Sequence, residues 1–407
     1  MREVGTPAAA SVASTRFDAI VIGAGVIGCS VAFHLARLGA PRVLVLEQSQ
    51  IGAGTTAQSS GILRTHYSIP ENVALARASW AAFEDFAAYV GDDEASSGLV
   101  KCGYLIAAPQ GDKCEALAAA LAAQRERGID AREIDAREAR TLLPIADLAD
   151  AALIGYEPQA GFADAYLVAT GFARAARRAG VVIREGVTVE GLVVDGDRVI
   201  GIETSAGRFD ADVVVSTQNI WAAQIESWTG LAMPVFPERH IVLALEAQTA
   251  YTAAMPVFKD LASPGMLYCR SYGGRQMLVS EGVEGERLAS LDIEQGEIAL
   301  DTVVRIGEQV AARFPAFAEA GLASSWTGVY DVTPDWNPVL GRVPGLPGLV
   351  VGYGFSGHGF KLSPAVGKVL AQEALGIAPE LSLAPYAIDR FERGRWLRGG
   401  YGAGAIA

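Results

Sequence analysis

The 407-residue chain is poor in sulfur and imidazole, with four cysteines and four histidines. Cys29, Cys102, Cys114 and Cys269 are scattered and form neither a CxxC pair nor a disulfide framework, so a reducing cytoplasm is the expected setting. The histidines are equally dispersed, and no metal site is expected. Positive charge is scarce too. Against 46 acidic residues stand 33 Lys and Arg, a net charge of −13, which argues against nucleic acid or an anionic membrane as the main partner. There is no internal repeat and no low-complexity tract beyond an alanine bias. Residues 1–16 lack the apolar core of a signal peptide and read as a disordered extension, and 399–407 read as a flexible tail. Residues 19–36 carry no Asp, Glu, Lys or Arg, yet three glycines and His34 make a poor membrane span. The stretch divides more naturally into a buried strand and a helix.

What the chain does have is glycine, 46 residues of it, and the most informative sit in Phe17-Asp-Ala-Ile-Val-Ile-Gly-Ala-Gly-Val-Ile-Gly28. Gly23, Gly25 and Gly28 lie between an apolar strand and an apolar helix. A second strand, Arg42–Glu47, ends in a carboxylate 19 residues after Gly28. This is the order of a dinucleotide site. The first glycine permits a tight turn, the second lets backbone approach a pyrophosphate, and the third lets helix pack on strand. The helix start offers free N–H groups and a positive dipole end. Glu47 suits an unphosphorylated ribose, leaving NAD or FAD.

A polar, glycine-rich loop, Gln48–Gly61, follows. Helices are expected over about 71–89, 113–127, 136–142, 165–179 and 298–313, and short antiparallel strands over 233–284. A second glycine loop, Gly354-Phe-Ser-Gly-His-Gly-Phe-Lys361, joins the strand Leu349–Tyr353 to a final helix with Pro364 in its first turn. Three glycines there let backbone lie against a flat ligand.

With Gly23–Glu47, Gly52–Arg64, Asp331–Gly341 and Gly354–Lys361 in this order, the chain resembles the FAD-dependent amine and amino-acid oxidoreductases related to D-amino acid oxidase. The sarcosine oxidase, glycine oxidase and dimethylglycine dehydrogenase branches are nearest. The resemblance implies an α/β fold: a Rossmann-like FAD-binding domain (17–95, 153–230 and 325–398) and a mostly antiparallel, α+β substrate domain (96–152 and 231–324). By position, Gly23, Gly25, Val26, Ile27 and Gly28 would hold the pyrophosphate, and Glu47 and Gln48 the ribose. Thr55, Thr56, Ser59, Ser60 and Gly61 would wrap the diphosphate and approach the flavin, with Val187 at the adenine side and Trp221 a further contact. Gly354, Ser356, Gly357, His358, Gly359, Phe360 and Lys361 would line the isoalloxazine. Arg64 and Lys361 match positions that bind substrate carboxylate, as a planar fork and a point charge. Tyr268, Tyr330 and His66 are further candidate catalytic residues, and Tyr67 and His240 candidate pocket residues.

The departures are informative. Other branches tether FAD through a cysteine, where this chain has Gly328, or through a histidine, where it has Gln58; non-covalent FAD is therefore expected. The stretch Gly273–Glu281, where sarcosine oxidases place an oxygen-activating lysine, holds none; Arg275 is a substitute only if the match shifts. The expected reaction is dehydrogenation of a secondary, N-methylated or cyclic amino acid by hydride transfer to flavin N5, giving an imine that hydrolyses. The electrons would pass to oxygen, a quinone or an electron-transfer protein. A 2-hydroxy-acid dehydrogenase and a FAD-binding subunit of a homo- or hetero-oligomeric complex are the alternatives.

Overall fold

The computed structural model describes residues 15–251, 255–291 and 296–399. Most of the expected N-terminal extension, and all but the first residue of the tail, lie outside them. The β-branched run Ile20-Val21-Ile22 ends the strand Arg16–Ile22 at the heart of an eight-stranded sheet. Parallel neighbours flank it: Val43–Glu47 on one side and Phe209–Ser216 on the other. Val182–Glu185 extends the first flank and Leu349–Tyr353 the second, again parallel. The strand order reverses at Arg16–Ile22, so a crevice opens beyond its carboxyl end. The helix Val26–Arg37 starts there and packs between the helices Ala165–Arg178 and Gly359–Ala374.

A second, mostly antiparallel sheet of nine strands carries the other half of the fold. Its registers align two rows. Leu105, Phe258, Cys269, Val279 and Leu243 face a core capped by Ile306 and Val310 of the helix Leu300–Arg313. One residue along each strand, Lys259, Tyr268, Ser280 and Val242 point the opposite way. This second face meets the nucleotide half.

Three expectations need correction. The boundaries at 153 and 325 cut the second sheet, because Leu153–Glu157 and Gly321–Val332 pair within it. The helix over 71–89 is two helices, Pro70–Glu84 and Phe86–Val90; Asp85 breaks it and accepts the Ala88 N–H at 3.1 Å as the new cap. Pro364 sits in the second turn of Gly359–Ala374, not the first. The Ser79 hydroxyl fills the defect there, donating to Leu362 O at 3.2 Å and accepting from Ala365 N at 3.1 Å. The uncharged 19–36 run is a strand and a helix. Among the described residues no helix is long and apolar enough to cross a membrane.

Candidate active site

The glycine triplet does three jobs. Gly23 adopts φ +95°, and a Cβ on Gly28 would stand 1.9 Å from Gly23 O, so only glycine lets helix and strand meet. Gly25 caps the helix, whose first turn has no acidic residue to offset its dipole. Glu47 braces this turn, accepting from Ala24 N at 2.8 Å and Ser49 N at 2.9 Å. Thr56 Oγ1 accepts the Val26 N–H at 3.0 Å and so fastens the Gln48–Gly61 loop over the helix start.

Two connected cavities run from this turn, an outer one of about 230 Å³ and an inner one of about 110 Å³. They share Val26, Ile27, Thr55, Thr56, Asn219 and Phe355. Of the expected cofactor residues, Gly23, Gly25, Val26, Ile27, Glu47, Gln48, Thr55, Thr56, Val187 and Trp221 line the outer cavity. Ser59, Ser60, Gly357, Gly359 and Phe360 line the inner one with Tyr268, Tyr330 and His240. Gly28, Gly61, Gly354, Ser356 and His358 line neither cavity. Gly354 N and Ser356 N bond Asp331 Oδ2 and O at 2.6 and 3.2 Å, which anchors the second glycine loop.

Inside the inner cavity Tyr268 and Tyr330 join hydroxyls at 3.2 Å. Tyr330 stacks on His240 with ring centroids 4.0 Å apart, and His240 Nε2 bonds Glu238 at 3.0 Å. Burial pushes the Glu238 carboxyl up, but the bonds from His240 and Gly285 N outweigh it and hold it below its usual range. Gly357 is required here: a Cβ would come within 2.6 Å of the Tyr330 ring.

Beside this cavity lies a buried cationic cluster. Arg64 is 3% exposed, donates Nη1 to His66 O, and leaves Nη2 without a partner. Its guanidinium rests 4.5 Å from the Tyr67 ring centroid and 5.7 Å from that of Tyr104. Lys361 is buried as well; burial, then the Arg64 charge, hold its amine well below the usual lysine range. His358 has both ring nitrogens unpartnered and meets Tyr67 edge-on at 5.3 Å. Burial, Lys361 and Arg64 keep it neutral. His66 stands behind Arg64 instead of on the cavity wall; Gln124 bonds its Nδ1 at 2.8 Å, and burial pushes it down to about 3. Glu157 organises this corner by accepting from Thr65 N at 2.8 Å and His66 N at 3.1 Å. Arg275 is no substitute for the missing lysine, because it pairs with Glu246 at 3.1 Å on the surface.

Sequence reasoning passed over Asn219 and Phe355. Asn219 follows the strand Phe209–Ser216 at φ +55°, and its buried Oδ1 lacks a partner in the cleft wall. An asparagine just after a buried strand was the available signal. Phe355 lay unselected inside the second glycine motif.

Residues 18–373 match the FAD dependent oxidoreductase family. The chain belongs to this family. FAD is accordingly the cofactor of this oxidoreductase, and the site fits it: a long cleft, a helix with no acidic residue in its first turn, and an orphaned polar atom at Asn219. The FAD-dependent oxidoreductase is 28% identical to sarcosine oxidase subunit beta of Rhizobium meliloti (strain 1021), over 93% of this chain and 89% of that one. Its fold superposes on L-proline dehydrogenase from P. horikoshii with a TM-score of 0.87 at 24% identity, covering 95% and 100% of the two chains. Glycine oxidase from Geobacillus kaustophilus gives 0.80 at 25% identity, covering 92% and 99%.

Proposed function

We propose that this flavoenzyme dehydrogenates a carboxylate-bearing amine, a secondary, N-methylated or cyclic amino acid. The observation that carries the reading is the unpartnered Nη2 of buried Arg64 beside buried Lys361, one residue from the cavity wall at Phe360. A buried guanidinium with an unpartnered arm is costly, and an incoming carboxylate relieves that cost while fixing the substrate's orientation. Bound FAD supplies the two-electron acceptor. The protein's part is positioning: Arg64 and Lys361 hold the carboxylate, and Tyr268 and Tyr330 wall the space around the amine. His240 and Glu238 hold Tyr330 in place. No strong protein base is needed for an amine bound neutral. Similarity to a sarcosine oxidase subunit supports both the amine substrate and a place in a larger assembly.

The test is anaerobic bleaching of the FAD-loaded chain by a panel of amino acids and 2-hydroxy acids. Bleaching by N-methylated or cyclic amino acids is expected. Bleaching by hydroxy acids alone would overturn the reading.

A further inference from the structure

The strand Val257–Asp260 carries a lysine that the proposed reaction leaves unused. Lys259 is 1% exposed and its ammonium has no hydrogen-bonding partner. The adjacent carboxylate does not serve it: Asp260 is held by Arg313 through bonds of 2.8 and 3.2 Å. Lys259 stands opposite Tyr268 in register, so both project from the sheet face that meets the nucleotide half. Its Nζ lies 5.7 Å from the centroid of the Tyr268 ring, and Tyr268 walls the inner cavity. Gly282 makes the room, since a Cβ there would stand 2.0 Å from Nζ.

The neighbouring ionisable groups sharpen the point. Arg64, Lys259 and Lys361 are all buried, and the Arg64 charge is felt by both lysines. The buried carboxylate that answers Arg64 is Glu157, already engaged by the Thr65 and His66 N–H groups. Glu157 is thus engaged elsewhere, as Asp260 is, and a carboxylate bound at Arg64 and Lys361 leaves the Lys259 amine without a partner. We infer that Lys259 anchors a second anionic group on the substrate, so that the preferred substrate is an amino dicarboxylic acid whose second carboxylate lies beside Tyr268. This rests on the amine-dehydrogenase reading for the chemistry, but not for the binding. Burial, followed by the charge of Arg64, brings the Lys259 amine down to about 7, so the protein alone does not secure its charge. An arriving carboxylate does so by pairing with it.

Inert ligands test the anchor without turnover. The flavin absorption of the FAD-loaded chain is titrated with acetate, malonate, succinate and glutarate. The best dicarboxylate should bind at least tenfold tighter than acetate. In Lys259→Met and Lys259→Gln the ratio should fall to about the twofold that two equivalent carboxylates give. Equal binding in the unaltered protein, or a tenfold preference that survives both variants, overturns the inference. The unaltered protein decides even where a variant misfolds. In parallel, anaerobic bleaching by sarcosine is compared with that by N-methylaspartate. Faster bleaching by the diacid supports the anchor. Dicarboxylate preference with no bleaching by any amine sustains the anchor and overturns the proposed reaction instead.

Discussion

Gln58 and Gly328 face each other: a Cβ on Gly328 would lie 3.7 Å from the Gln58 Cβ, and Gln58 Oε1 accepts the Val329 N–H at 2.9 Å. These are the two positions at which the resemblance places a covalent tether in other branches, one by cysteine and one by histidine. They are far apart in sequence and adjacent in space, at the wall of the inner cavity. An amide and a hydrogen atom now occupy the spot, and neither is a nucleophile. FAD should therefore leave with the supernatant on acid precipitation, and the pellet should be colourless. A yellow pellet would show a tether formed elsewhere.

Arg64 should matter to substrate and not to cofactor. Arg64→Ala removes a charged, two-pronged donor, an interaction of about 1.5–3 kcal/mol, so KM for the preferred amino acid should rise about ten- to a hundredfold. The flavin spectrum should persist, because Arg64 lies beside the inner cavity and lines neither part of the cleft. Arg64→Lys should recover only part of the loss, since it keeps the charge but not the fork. Steady-state kinetics and the visible spectrum measure both. An unchanged KM removes Arg64 from the site.

The two glycine loops made the nucleotide half legible, because backbone that must approach a ligand or another backbone can use only glycine. At Gly28 the clash distance shows why. The cationic cluster was half legible. Arg64 and Lys361 sit inside local motifs, whereas Lys259 comes beside Tyr268 only through sheet register, which no local window contains. Pro364 misled for the opposite reason: the rule for proline is local, but the Ser79 hydroxyl that rescues the helix comes from a distant segment.

Arg390 and Asp335 form a buried pair, 2% and 1% exposed by side chain, with bonds of 2.8 Å from Nε and from Nη2. Arg390 also donates to Asn337 O at 2.8 Å and Tyr386 O at 2.9 Å, pinning the C-terminal segment to the turn before the strand Val339–Arg342. Arg390→Met strands a buried carboxylate and should cost about 3–5 kcal/mol. Arg390→Met combined with Asp335→Asn should cost less than the sum of the single changes, because the second change removes the charge the first leaves unpaired. Denaturation of the two single variants and the double variant checks this; strict additivity would mean that the pair is not coupled.

Stability should fall in mild acid, partly through His34. Burial, then the charges of Arg37 and Lys368, push its imidazole down to about 3, and its ring bonds the Tyr89 hydroxyl at 3.1 Å. Unfolded histidine titrates near 6.5. At pH 5 the unfolded chain therefore holds a proton on this ring that the folded chain refuses, and acid favours unfolding. The contribution is complete above pH 6.5 and is lost as pH falls toward 3. It amounts to about 2 kcal/mol between pH 7 and pH 5. Asp331, pushed up to about 6 by burial, works the other way, taking up a proton in the folded state over part of this range. The comparison that isolates His34 is His34→Gln, which keeps a hydrogen-bonding side chain and removes the titration. Between pH 7 and pH 5 the variant should lose about 2 kcal/mol less stability than the unaltered chain, measured by denaturant unfolding at both pH values. Parallel losses in the two proteins would mean that His34 is protonated in the folded state.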